Sequence, residues 1–203
     1  MSFNPSFIGP TRIRENAHCF LLQEQKLLTK KQGDRYLIPQ FRDLQVLDPG
    51  PEPLHYLGLL DGRPCYAGEM PAMILPPTTF ALKEIRSLFE HLVEPLIGVA
   101  GLANQLVLWN LNHRFCGKCG LETEDRPNER AKICPGCGLI NYPRLSPAVI
   151  VAVVREDRLL LAHSQRFPAK FYSVLAGFVE PGETLEECIR REIEEEVGIE
   201  VKN

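Results

Sequence analysis

The chain has 203 residues, 44% of them hydrophobic, and a formal charge of −3. No apolar run approaches the ~20 residues of a membrane span, and the weakly acidic balance carries no general nucleic-acid footprint. A membrane-spanning protein and a broadly nucleic-acid-coating one are thereby excluded. No secretory signal is present, so a cytoplasmic enzyme with reduced thiols is expected.

Residues 1–94 contain short strand-like runs, at 18–22 and 26–29 among others. Residues 55–60 and 63–67 flank Asp61-Gly62 and predict a hairpin with a type I′ turn. A helix is expected after Thr79, with Phe80, Ile85, Leu88, Phe89 and Leu92 as a core-facing stripe, ending before Pro95. A second, connecting helix occupies 95–113.

Two CxxC pairs follow. Cys116-Gly-Lys-Cys119-Gly120 is followed by Cys134-Pro-Gly-Cys137-Gly138, with fourteen residues between Cys119 and Cys134, a spacing typical of a zinc site. Four thiolates close a tetrahedral shell and leave no open position for a substrate, so the metal is structural, one Zn²⁺ per chain. It staples a segment, 114–141, too small to build its own core. Iron in a rubredoxin-like site and disulfides are the alternatives. The remaining cysteines, Cys19, Cys65 and Cys188, lie in apolar settings and read as core thiols rather than nucleophiles.

The last region, 142–203, opens on a β-branched run, 148–154, that reads as a buried strand. Glu156-Asp157 turns the chain into a second strand, 158–162, and 174–176 leads into a glycine loop. Thr184 with Glu187 makes a capping box, and Gly198 sits where a left-handed cap is expected. About three turns of helix lie between them. A rotation of about 100° per residue puts Leu185, Cys188, Ile189, Ile193 and Val197 on one arc. Glu192 and Glu196 fall within that arc and Glu195 at its edge; Glu187, Arg190, Arg191 and Glu194 face away. Carboxylates turned toward protein must be paired or hold a metal, and grouped carboxylate oxygens suit Mg²⁺ or Mn²⁺.

Residues 177–199 fit the Nudix box, G-x5-E-x7-R-E-U-x-E-E-x-G-U, at every fixed position: Gly177, Glu183, Arg191, Glu192, Ile193, Glu195, Glu196, Gly198 and Ile199. The zinc-ribbon pattern just ahead of it, the linker from Asn141-Tyr142-Pro-Arg, and the run Leu175-Ala176-Gly177-Phe-Val resemble the NADH pyrophosphatases. The resemblance is close over 97–203 and loose before that. It implies a mixed α+β and α/β architecture: a β-rich, Nudix-like N-terminal domain, a zinc ribbon, and part of a Nudix α/β/α sandwich. It implies hydrolysis of NAD(H) to nicotinamide mononucleotide and AMP, removal of NAD caps from RNA, and a homodimer.

By the same resemblance Glu192 and Glu196 are metal ligands. Glu195 is a further ligand or orients the attacking water, and the Ala176 carbonyl is a metal contact. Glu183 and Arg191 brace loop against helix. Tyr142 contacts substrate by stacking on a base, or else packs the ribbon against the catalytic domain. Members of the family continue past the box with more strands, another metal-binding glutamate and a serine-glutamine-proline-tryptophan-proline-phenylalanine-proline motif. The chain is therefore expected to be a C-terminally truncated copy. Hydrolysis of another nucleoside diphosphate derivative, and a catalytically silent zinc-binding or dimerisation module, are the other two readings.

Overall fold

The computed structural model describes residues 2–47, 50, 53–164 and 170–202. It divides into two compact units, 1–143 and 144–203.

In the first unit, β1 (Phe3–Pro5), β2 (His18–Gln23), β3 (Lys26–Gln32), β4 (Arg35–Leu37), β5 (His55–Leu60), β6 (Arg63–Glu69) and β7 (Phe80–Glu84) form one sheet. Its order is β1-β5-β6-β2-β3-β4, with β7 also paired to β3. The β2–β6 pair is parallel; the others are antiparallel. Helix α1 (Glu94–Asn112) packs on β2, β5 and β6. Strand β2 explains the layering. Its alternate residues Phe20 and Leu22 join Leu27, Leu57, Ala100, Ala103 and Val107 in one core. Cys19 and Leu21 point the other way, into a second core with Leu28, Leu44, Met70 and Phe80. A strand buried on both faces carries a continuous apolar run instead of alternation.

Asp61 (φ 47°) and Gly62 (φ 74°) turn β5 into β6 with the two positive dihedrals of the expected turn. A second such turn, unsignalled by any glycine, joins β2 to β3 through Glu24 (φ 49°) and Gln25 (φ 64°). An L-residue in this region carries a steric cost that glycine lacks, partly offset by glycine's greater freedom when unfolded. Gln25→Gly is expected to raise stability by about 0.5–1 kcal/mol, read from the urea midpoint; an unchanged or lower midpoint contradicts it.

The helix expected after Thr79 is not formed. Residues Phe80–Glu84 are strand β7, followed by a 3-10 turn at Ile85–Leu88. The edge of β3 needs a hydrogen-bonding partner, and β7 supplies it from Lys26↔Glu84 to Lys30↔Phe80. Phe80 is buried, but Phe89, on the supposed stripe, is 63% exposed. Pro95 starts a helix rather than stopping one: it lies in the first turn of α1, where its missing N–H costs nothing.

Short strands β8 (Glu124–Asp125), β9 (Lys132–Ile133) and β10 (Ile140–Asn141) form a three-stranded ribbon after α1. Arg130 fastens it to the sheet: Nη2 donates to the carbonyls of Ser6 (2.9 Å) and Tyr56 (3.2 Å).

The second unit holds β11 (Ala148–Val151), β12 (Val154–Arg155), β13 (Arg158–Leu159), β14 (Leu175–Phe178) and α2 (Leu185–Val197). The single strand expected at 148–154 is broken in two: β11 pairs with β14, and β12 turns back on β13. Val149, Leu175, Cys188 and Ile193 are buried, whereas Ile150 is 76% and Phe178 65% exposed. The whole is a mixed α+β chain with a β-rich N-terminal part. Among the described residues no helix is long and apolar enough to cross a membrane.

Candidate active site and metal centre

The ribbon's two cysteine pairs adopt the same turn. Gly120 N–H donates to the Cys116 carbonyl and Cys116 N–H to Leu121; Gly138 N–H donates to Cys134 and Cys134 N–H to Leu139. Both glycines have positive φ, 78° and 70°, which L side chains resist. The turns bring four sulfurs together: Cys116 Sγ lies 3.5 Å from Cys137 Sγ, Cys119 Sγ lies 3.4 Å from Cys134 Sγ, and all four fall within 4.8 Å of one another. Zinc–sulfur bonds of about 2.3 Å in a tetrahedron separate sulfurs by about 3.8 Å, so the set fits a four-thiolate metal. Amide N–H groups of Lys118 and Cys119 pull the Cys116 thiol down to about 6, while the neighbouring cysteines push the Cys119 thiol up to about 12, so only part of the metal-free set favours the thiolate that binds metal.

The second site lies along β14, the following loop and α2. The capping box is present: Glu187 N–H donates to Thr184 Oγ1 (3.2 Å), and Thr184 N–H to Glu187 Oε2 (2.8 Å). Gly198 closes the helix in the left-handed region, at φ 67°. Gly177 has a packing reason to be glycine, because any Cβ there would collide with the Glu192 carboxylate.

Arg191 departs from the orientation that helical rotation gives. It turns inward, with its side chain 25% exposed. Nε donates to Glu183 Oε1 (2.6 Å), and Nη2 donates to Glu183 Oε2 (2.9 Å) and the Phe178 carbonyl (3.0 Å). Nη1 reaches Glu192 Oε1 (2.9 Å) and Glu195 Oε2 (3.2 Å). The returning loop offers acceptors on that side, and rotation about a helix axis knows nothing of a loop. The Glu180 amide adds a further donor to Glu183. Arg191, then that amide, holds the Glu183 carboxyl down at about 2, and Glu183 in turn raises the Arg191 guanidinium.

This pair sets an acid dependence. A depressed carboxyl pKa stabilises the fold above the unfolded value, near 4.3, and the contribution disappears as pH falls through the folded value. The window is therefore from about 4.3 down to about 2. Glu183→Gln is expected to flatten the fall of stability with acid in this window. Parallel pH–stability curves for variant and parent would contradict the assignment.

The three box carboxylates differ in their surroundings. Glu192 (side chain 18% exposed) is seated over Gly177 and, like Glu195, is held by Arg191. Glu196 is exposed and lines an open cleft of about 430 Å³ with Ala176, His163, Ser164 and Ser173. Among the described residues, the four cysteines are the group whose ligand atoms converge. Carboxylate and carbonyl oxygens beside an open cleft still have the donor chemistry of a hard divalent cation. Tyr142 belongs to the first unit; its hydroxyl donates to Glu129 Oε2 at 3.0 Å. His163 was invisible in the sequence: it follows β13 without a motif, and only the Ala162–Ser173 bridge carries it to the cleft.

A braced glycine loop feeding a carboxylate helix, with a four-thiolate ribbon in the same chain, defines the class of zinc-ribbon Nudix proteins. Three family models match in sequence order: an NADH pyrophosphatase-like rudimentary NUDIX domain at 16–109, an NADH pyrophosphatase zinc ribbon domain at 111–142, and a NUDIX domain at 144–203. The chain belongs to the NADH pyrophosphatase family of Nudix proteins. It is 44% identical over 145 residues to the NAD-capped RNA hydrolase NudC of Stutzerimonas stutzeri (strain A1501), covering 71% of this chain and 52% of that protein. It is 43% identical over 162 residues to the protein of the same name in Pseudomonas putida (strain W619), covering 80% and 56%. The chain thus spans about half the length of the curated relatives it matches.

Proposed function

We propose that the protein is a divalent-metal-dependent hydrolase. It would cleave the pyrophosphate bond of NAD(H) to nicotinamide mononucleotide and AMP, and remove NAD caps from RNA. The observation that carries this reading is the Arg191 brace, which fixes Glu183, Glu192 and the Phe178 carbonyl around the loop that ends β14. The relatives named as NAD-capped RNA hydrolases support the substrate class.

In this reading Glu196, Glu192 and the Ala176 carbonyl would supply oxygen ligands to Mg²⁺ or Mn²⁺, with Glu195 a further ligand or the group that orients water. Such a cation, when bound, lowers the pKa of its water and offsets charge on the bridging oxygens. Arg191 pairs with Glu192 and holds it over Gly177. Glu196 and Ala176 line a cleft of about 430 Å³, which supports the entry of a phosphate chain. Tyr142 would stack on a base of the substrate, its hydroxyl steadied by Glu129. The thiols and the metal-bound ribbon fit a reducing cytoplasm, and we take the working form to be a homodimer.

The test is incubation with NADH and Mg²⁺ or Mn²⁺, with products separated by chromatography. Equal amounts of reduced nicotinamide mononucleotide and AMP are expected. Cleavage only of nucleotide sugars, dinucleoside polyphosphates or dNTPs would overturn the substrate. A second reading, a silent zinc-binding or dimerisation module, is favoured by Arg191, which engages the Glu192 and Glu195 carboxylates. A zinc-loaded chain that neither binds Mn²⁺ nor cleaves any of these substrates would decide for it.

A further inference from the structure

A cavity of about 140 Å³ lies in the first unit, between the sheet, α1 and the ribbon. None of its walls belongs to the Nudix box. Phe7, Tyr56, Leu106 and Trp109 line it with apolar surface, and the half-buried Arg130 adds a guanidinium. That guanidinium is only partly used. Nη2 donates to the Ser6 and Tyr56 carbonyls, while Nε and Nη1 have no partner among the described residues. Neither belongs to the buried polar atoms without a partner, so both keep surface that a ligand can reach. The Trp109 Nε1–H, by contrast, is sealed off and takes no part.

Charge and size narrow the occupant. The other ions around the cavity are matched: Asp125 pairs with Lys132 at 2.9 Å, and Arg126 with Glu129. Burial lowers the His55 pKa, which favours the neutral ring. Arg130 meets only neutral carbonyls, and burial alone shifts its pKa, downward. A guanidinium stays protonated in a protein, so one positive charge is left over. Burying a charge without a counterion is costly, and an anion hydrogen-bonded to it offsets that cost. Sites for drug-sized ligands run from about 300 Å³ upward, whereas an apolar cavity of about 150 Å³ takes a single benzene ring. A nucleotide is too large. Inorganic phosphate fits, but it brings more acceptors than two spare nitrogens can meet and leaves the aromatic wall unused. A flat ring bearing one carboxylate matches both the wall and the charge.

We infer that this cavity binds a single-ring aromatic monocarboxylate, with its carboxylate on Arg130 and its ring against Phe7, Tyr56 and Trp109. The site is separate from α2 and stands or falls independently of the proposed hydrolysis.

Trp109 is the chain's one tryptophan, so a ¹⁵N-labelled sample gives a single indole signal, which the ring current of a ligand in the cavity would move. Benzoate, added at neutral pH to the zinc-loaded full chain, is expected to shift that signal saturably. Benzamide has the same shape without the charge and should bind at least about tenfold more weakly, the scale of a hydrogen bond to a charged group. Inorganic phosphate should not displace benzoate at equal concentration. Phe7→Ala should weaken benzoate and benzamide alike and preserve their ratio, with zinc content unchanged. Arg130→Gln should erase the ratio; if that variant fails to fold, the parent chain and Phe7→Ala still decide the matter. An indole signal unmoved at millimolar benzoate overturns the inference. So does equal affinity for benzoate and benzamide, which would make the cavity a plain apolar void. Displacement by equimolar phosphate overturns it too, by reducing the site to a simple anion contact.

Discussion

Glu196→Gln is expected to cut NADH turnover by on the order of 10²–10³-fold, the cost of deleting one electrostatic group aimed at a reacting centre, while leaving zinc content and folding intact. The substitution keeps shape and removes charge. Glu196 is exposed on the last turn of α2, away from the buried Cys188 and Ile193 that seat the helix. Its charge is also badly placed for stability. Glu194, Glu195 and Glu196 crowd the carboxyl-terminal end, and the last turn carries no basic residue. The helix dipole disfavours anions there by about 0.3–1 kcal/mol each. The variant should therefore melt at the same temperature or slightly higher. Lost activity with gained stability marks a residue placed for chemistry at the fold's expense. Turnover near wild type, or a destabilised variant, would remove Glu196 from the site.

Zinc removal is expected to have the largest structural effect. Strands β8, β9 and β10 are two residues each, far below what holds a sheet together unaided. Binding free energies for small structural zinc sites are about 10–16 kcal/mol at neutral pH, and that energy is folding energy. A strong chelator should therefore unfold 114–141. The sheet of β1–β7 should survive, because its two apolar cores contain no ribbon residue. Hydrogen exchange checks both halves: amides of Gly120 and Gly138, now bonded to cysteine carbonyls, should lose protection while those of β2 and β6 keep it. Ribbon amides that stay protected in chelator would show that the metal is dispensable.

Much of this was legible from neighbouring residues. The paired CxxC turns, the Thr184–Glu187 box, Gly198 and the Asp61-Gly62 hairpin are all settled within a few residues of each other, where spacing determines geometry. What escaped depends on distant partners. Residues 80–84 have a helical stripe, but β3, about fifty residues earlier in the chain, leaves an edge that only a strand can complete. Arg191 sits on the outward arc by rotation, and only the family resemblance implied its brace to Glu183; the loop from Phe178 to Glu183 folds back and captures it. The turn at Glu24-Gln25 has no glycine to announce it; strand pairing forces two ordinary residues into a costly conformation. His163 lines its cleft through surfaces that meet only once the chain has folded.

The grip of Arg130 has an evolutionary corollary. Its guanidinium holds main-chain oxygens of Ser6 and Tyr56, not their side chains. Position 6 can then drift to almost any residue without loosening the joint, because every amino acid brings the same carbonyl. Position 130 has no such latitude: one nitrogen, Nη2, donates to both carbonyls, and a side chain that brings no donor to that point leaves both unmet. Mutational tolerance across this joint is one-sided, and a deep substitution scan should find one intolerant site facing a permissive one.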